Sequence, residues 1–203
     1  MVDEQTTRRR TNRDLKTALI DAGVELLRIR GADGLSLREC ATMAGVSHAA
    51  PGYHFKNIMG LSTAIAARGF QLFCEAMTRR LDGAGPSPQD RLSAICHGYI
   101  DYASDHPALF LFIFSGQKFN EDDEFFCSHS ERAYAILREA CATFVASGTP
   151  KEDIEVLVWS LVHGYSQLSM TRKTENPKLD RSWPDFDQLF KHLGKALTPN
   201  DDT

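Results

Sequence analysis

Ser47, His48, Ala49, Ala50, Gly52, Tyr53, His54 and Lys56 fall within ten positions, a set suited to hydrogen bonding and charge contact rather than to bond making. A histidine ring can donate or accept at a base edge, and alanine methyls can pack on a thymine methyl. Gly52, Tyr53, His54 and Lys56 come later in the run, where a phosphate backbone would pass. Arg8, Arg9 and Arg10, with Arg13 just beyond, form a second cluster of cations near the N-terminus. Together these clusters suggest contact with a polyanion at one end of the molecule. For the arginines alone, a solvated basic tail is the plainer reading. Nothing in the sequence points to catalysis: it contains no glycine-rich phosphate loop, no His-Glu-x-x-His and no Gly-x-Ser-x-Gly. No catalytic residue, metal ligand or cofactor is expected, and the chain does not read as an enzyme.

Helices must position these groups, because helix signals recur from end to end and no strand alternation competes with them. Leu15, Ala18, Leu19, Ala22 and Leu26 mark a half-buried first helix, closed by Arg30-Gly31. Ser36-Leu-Arg-Glu39 has the form of a capping box, with the Ser hydroxyl accepting from the Glu39 amide and the Glu39 carboxylate reaching back. That short second helix ends at Gly45, which supplies the left-handed backbone a tight turn needs. Ser47 is the expected N-cap of a third helix reaching about Phe55. Ala41 is small where the two helices would cross, and Val46 would fill the space between them. Two short helices joined in this way have the form of a helix-turn-helix, and an ordinary helical hairpin could share it.

Further on, the patterns predict helices over 58–81, from Pro88 through Ala103, over 107–115, from Phe126 through Phe144, over 150–174 and over 184–197. Ser87-Pro88 and Thr149-Pro150 both read as an N-cap followed by proline at the first helical position. About nine helices and an all-α fold result. The longest apolar run, Ala108 to Phe114, is too short to cross a bilayer, and the N-terminus has no apolar segment of a secretory kind. Five widely spaced cysteines without a Cys-x-x-Cys fit reduced thiols in the cytoplasm. Residues 1–60 carry nine Lys/Arg against seven Asp/Glu, and residues 61–203 carry fourteen against twenty. The first part is therefore net +2 and the rest net −6, which again places any polyanion contact at the N-terminal end.

The first 61 residues resemble the DNA-binding domain of TetR-family transcriptional regulators. The likeness rests on the run "GADGLSLRECATMAGVSHAAPGYHFKNIMGL", residues 31–61, after a helix of the right length. "WSLVHGY" resembles the Trp-His-Gly signature of one TetR C-terminal subfamily, at Trp159, His163 and Gly164. The resemblance implies three helices with a helix-turn-helix, a long fourth helix, and a variable helical domain for ligand binding and dimerisation. On that basis residues 1–60 form the basic arm and DNA-binding head, and 61–203 the ligand and dimer domain. The implied partners are a double-stranded DNA operator and a second copy of the chain. Taken together, the residue reading and the resemblance give an expected DNA-contacting set of Arg8, Arg9, Arg10, Ser36, Ser47, His48, Ala49, Ala50, Gly52, Tyr53, His54 and Lys56, in which the arginines rest on the residue reading alone. The family's aromatic pair is here Gly52-Tyr53, and its Lys-x-Lys is here Lys56-Asn57-Ile58, so two backbone contacts depart from the pattern. The Arg8–Arg13 arm could replace them by lying in the adjacent minor groove.

In the second part, Phe70, Phe73, Tyr99, Tyr102, Phe110 and Phe114, with Trp159 and His163, are candidates to line a pocket for a largely apolar or aromatic small molecule. The same aromatics also read as core, and His163 as a hydrogen-bonded interior histidine. Ile154, Leu157, Leu161, Tyr165 and Leu168 mark a second apolar face on one helix, with Gly164 allowing close approach, and Leu157, Leu161, Gly164, Tyr165 and Leu168 are expected at a dimer interface. The reading is a ligand-responsive regulator, a repressor by preference. The alternative is a helical small-molecule-binding or interaction protein that no longer binds DNA, and Gly52 and Ile58 keep it open.

Overall fold

A computed structural model describes the backbone of residues 4–145, 151–175 and 184–199, and the side chains of 14–144, 152–171, 184–194 and 197. Among these residues the chain forms nine α-helices: α1 Glu4–Arg30, α2 Leu37–Met43, α3 Ala50–Phe55, α4 Ile58–Asp82, α5 Pro88–Asp105, α6 Pro107–Ile113, α7 Glu124–Cys141, α8 Lys151–Glu175 and α9 Phe186–Ala196. The all-α plan expected from periodicity is the one that forms. Two short additions escape the periodicity. One is a 3-10 turn at Ala32–Gly34, and the other an antiparallel pair of two-residue strands, β1 Phe144–Val145 and β2 Thr198–Pro199. Two residues are too few for an alternation to register in a sequence. The expected Thr149-Pro150 cap lies outside the described residues.

The chain divides into two compact units. The first comprises residues up to Gln71 with Ala108–Ser130, and the second Leu72–Pro107 with the described residues from Glu131 onward. Both α4 and α7 contribute to each unit.

In the first unit α1 turns Leu19, Ala22, Leu26 and Leu27 inward, close to the stripe its spacing predicts. α1 packs on α2 and α3, and Cys40 and Ala41 of α2, Phe55 of α3, and Leu61 and Ile65 of α4 are buried in the same unit. Each such large side chain contributes roughly 1.5–3 kcal/mol on burial. Asn120 donates its backbone N–H to Thr63 Oγ1 at 2.9 Å and fastens the loop before α7 to α4. Phe119 and Phe126 stand 5.2 Å apart, Phe70 meets Phe126 edge-on at 5.8 Å, and Phe112 meets Phe119 at 5.6 Å.

In the second unit α5 buries Leu92, Ile95, Cys96, Tyr99, Tyr102 and Ala103. Ser87 caps this helix by accepting from the Asp90 N–H at 3.1 Å, and Pro88 is its first residue, as expected. α8 buries Ile154, Val158, Val162 and Ser166, one residue per turn. Ile154 therefore faces inward instead of joining the second apolar face with Leu157. α9 is strongly amphipathic, with Phe186, Phe190 and Leu193 buried. The Arg80 guanidinium joins α4 to α5 through two hydrogen bonds to Asp101, at 2.6 and 2.9 Å.

Candidate nucleic-acid interface

The turn between α2 and α3 depends on Gly45, which sits at φ 68°. That conformation costs an L-residue with a Cβ about 1–2 kcal/mol and glycine very little. Val46 then returns its N–H to the Ala41 carbonyl at 3.0 Å, while Ala41 is fully buried where the helices meet. Ser36 caps α2 by accepting from the Glu39 N–H at 3.1 Å. The other half of the expected box does not form. The Glu39 carboxylate instead takes a hydrogen bond from Arg30 Nη1 at 3.2 Å, a charged donor in preference to a neutral amide.

Ser47 does not cap α3 as expected. The helix begins at Ala50, with Ala49 in the cap position and no side-chain cap. Pro51 explains the shift. A helix starting after Ser47 would bond the residue-51 N–H to the Ser47 carbonyl, and proline has no N–H to give. The Ser47 carbonyl is met by the Ala50 N–H instead, at 3.0 Å, in a tighter turn.

Residues 47–56 thereby acquire two sides. Pro51 and Phe55 are buried, Ala50 and His54 are half-buried, and Ser47, His48, Ala49, Gly52, Tyr53 and Lys56 are exposed. Tyr53 is 79% exposed, an unusual position for a large aromatic ring that has a core beside it. His54 stands apart from the exposed set. Its Nε2 is buried and has no hydrogen-bond partner among the described residues. Burial first, and the Lys16 charge second, lower its pKa and favour the neutral ring. Lys16 also lies 5.9 Å over the Phe55 ring, so α1 contributes a cation beside α3. α1 reaches back to Glu4 and takes in Arg8, Arg9 and Arg10, whose side chains lie outside the described residues.

Lys56 closes α3 in an unusual conformation, φ 65° and ψ −54°. The Asn57 N–H meets the Phe55 carbonyl at 2.7 Å, so Lys56 is the central residue of a γ-turn of the rarer, strained hand. Asn57 then caps α4, its Oδ1 accepting from the Gly60 N–H at 3.1 Å. A Cβ added at Gly60 would stand 2.1 Å from the Phe55 carbonyl oxygen, so only glycine fits against this turn. Sequence reasoning passed over Asn57 and Gly60, although Asn-x-x-Gly after a helix end is a legible cap and close-approach signal. It also missed Lys16, whose role depends on a contact from another helix.

The candidate ligand residues fall into two groups. Phe70, Phe110 and Phe114 cluster in the first unit, with ring centroids 6.3 Å apart for Phe70–Phe114 and 5.1 Å for Phe110–Phe114. Phe73, Tyr99, Tyr102, Trp159 and His163 belong to the second unit. There Phe73 stands edge-on to Tyr99 at 4.7 Å and 5.0 Å from Tyr102. Trp159 Nε1–H donates to Tyr99 Oη at 3.3 Å, and Tyr99 Oη lies 2.7 Å from His163 Nδ1. Burial lowers the His163 pKa, which favours the neutral ring. Burial likewise pushes the Tyr99 phenol up.

On α8, Leu157 and Leu168 are 48% and 57% exposed, while Leu161, Gly164 and Tyr165 are half-buried. Val156, absent from the expected set, is 57% exposed. A Cβ built at Gly164 meets nothing within 4 Å. Tyr165 donates its O–H to the Pro184 carbonyl at 3.3 Å and packs edge-on against Phe186 at 5.1 Å, which ties it to the start of α9.

Three helices carrying a glycine turn and an exposed polar helix face, followed by a long fourth helix and five more, define an all-α helix-turn-helix protein. The chain belongs to the TetR family: residues 92–195 match the family model described as "Tetracyclin repressor-like, C-terminal domain". Solved structures with a similar fold include a protein of unknown function from Rhodococcus sp. RHA1, with TM-score 0.72, 22% identity, and coverage of 89% of this chain and 92% of that one. A TetR family transcription regulator from Marinobacter aquaeolei VT8 matches at TM-score 0.69 and 16% identity, over 95% of this chain and 100% of that one. The reduced form of NemR from E. coli matches at TM-score 0.65 and 18% identity, over 92% and 99%. No curated protein sequence matches the chain. Among the described residues no helix is long and apolar enough to cross a membrane.

Proposed function

We propose that the chain is a cytoplasmic, DNA-binding transcriptional regulator that reads a palindromic operator as a homodimer. The observation that carries this reading is the exposed surface made by Ser47, His48 and Ala49 just before α3, Gly52 and Tyr53 on it and Lys56 at its end, opposite the buried Pro51 and Phe55. In the proposed docking, His48 and Ala49 meet base edges, and Tyr53 and Lys56 meet phosphates. Residues 1–60 act as the head. Residues 61–203 bind the ligand and the second copy. The exposed apolar side chains of α8, Val156, Leu157 and Leu168, support a partner surface there. One head reads too few base pairs for useful specificity, which favours a two-fold dimer.

Repression relieved by a largely apolar or aromatic small molecule completes the reading. The aromatic side chains of Phe73, Tyr99 and Trp159, with one polar group in His163, support that ligand class. A salt-dependent gel shift on DNA upstream of the protein's own gene tests the reading. Binding that weakens steeply with salt is expected. No shift at low salt would instead favour a helical binding protein without DNA affinity. Ile58, 43% exposed where the family carries a second lysine, is the observation behind that alternative.

A further inference from the structure

The last turn of α4, the start of α5 and the second half of α7 enclose a groove of about 190 Å³ in the second unit. It shares no residue with the aromatic set considered above. Its floor is apolar, formed by Leu81, Ile95 and Ile136, and Arg91, Arg132 and Glu139 stand around it. Arg132 and Glu139, two turns apart on α7, pair at 2.8 Å with both side chains more than half exposed. Such a pair is weak and exchanges partners easily. Among the described residues no ion pair engages Arg91. The groove therefore combines an apolar floor with one positive charge in excess.

That combination selects among occupants. A purely apolar molecule would cover Arg91 without pairing it, and burying an unpaired charge is costly. A cation would meet two guanidinium groups. A carboxylate satisfies both, because the planar guanidinium fork matches its two oxygens. The size is also limiting: a cavity of roughly 150 Å³ takes benzene, so this groove fits one ring or a short alkyl chain with a small headgroup.

We propose that this groove binds small aryl or short-alkyl carboxylic acids, with the carboxylate between Arg91 and Arg132 and the apolar body on Leu81, Ile95 and Ile136. The contact includes α4, the helix that starts at the Lys56 turn, through Leu81 in its last turn.

Methyl NMR on the full chain tests the proposal, with phenylacetate as probe and phenylacetamide as its neutral counterpart. Phenylacetate should shift the Ile95 and Ile136 methyls in a saturable way. Phenylacetamide, or Arg91→Gln with phenylacetate, should bind about tenfold more weakly through loss of a charge-assisted hydrogen bond. Glu139→Gln should tighten phenylacetate several-fold, because it frees Arg132 and removes a repelling carboxylate. A role of Glu139 confined to holding α7 together would not produce that gain. Equal affinity for the amide, an unaltered affinity in Glu139→Gln, shifts confined to methyls outside the groove, or no shift at millimolar phenylacetate would each overturn it.

Discussion

Lys56 is held at φ 65° and ψ −54° between α3 and α4, so replacing it by glycine should raise stability while weakening the grip on DNA. A residue kept in such a sparsely populated region costs of order 1–3 kcal/mol. Glycine removes most of that strain and returns about 0.5–1 kcal/mol of it as entropy gained by the unfolded chain. The expected net gain is about 0.5–2 kcal/mol, which for a protein of this size raises Tm by about 1–8 °C. Lys56→Ala keeps the Cβ and the strain, so no gain is expected there. Both variants lose a cation that meets phosphate in the proposed complex. Each should therefore flatten the plot of log affinity against log salt by about one unit per protomer, so by about two for the homodimer. Thermal unfolding followed by circular dichroism measures the first effect, and fluorescence anisotropy across a salt series the second. A glycine variant no more stable than the alanine variant would refute the strain argument. An unchanged salt slope in both would refute the phosphate contact.

Four further outcomes are expected. His48→Ala should cost about 1–3 kcal/mol at particular base pairs and relax the preference there, read by anisotropy on single-substituted duplexes. Gly60→Ala should destabilise by about 1–3 kcal/mol in urea unfolding, because its Cβ would collide with the Phe55 carbonyl oxygen. Leu168→Glu should shift sedimentation from dimer towards monomer while leaving the helical content intact, since this side chain is 57% exposed in the single chain. Acidification should lower stability through His54 and His163, whose pKa values burial depresses below the ordinary 6.5. Above the ordinary value neither state binds the proton, so this contribution is flat. Below it the unfolded chain takes up protons that the folded chain resists, and stability falls as pH drops towards the depressed values. Urea midpoints at about pH 7.5 and about pH 5.5 measure the fall, and replacing both histidines by glutamine should remove most of it.

Much of this architecture was legible because helices declare themselves locally. Leu19, Ala22 and Leu26 are buried where a 3.6-residue period puts them, and Gly45 adopts the positive φ that its turn required. What could not be read depended on competition or on contacts between elements. Glu39 had a local partner in the capping box, but the Arg30 guanidinium, nine residues away in the chain, took its carboxylate. Pro51 looked compatible with a helix begun at Ser47, yet its missing N–H moved the start to Ala50. The Lys56 γ-turn has no glycine at its centre to announce it, since a lysine holds the positive φ there. In the second unit, Trp159 and His163 were legible as neighbours on one helix face. Their shared partner, Tyr99 Oη, lies on another helix, and no spacing rule reaches it.

Selection from a pool of random DNA duplexes, with the full-length protein at moderate salt, tests the central claim most directly. Enrichment of a two-fold palindrome is predicted, its half-sites about one helical turn apart and lost when His48 and Lys56 are both replaced by alanine. A pool that stays unenriched, or an enrichment that survives those two replacements, would contradict the assignment of residues 47–56 as the surface that reads DNA.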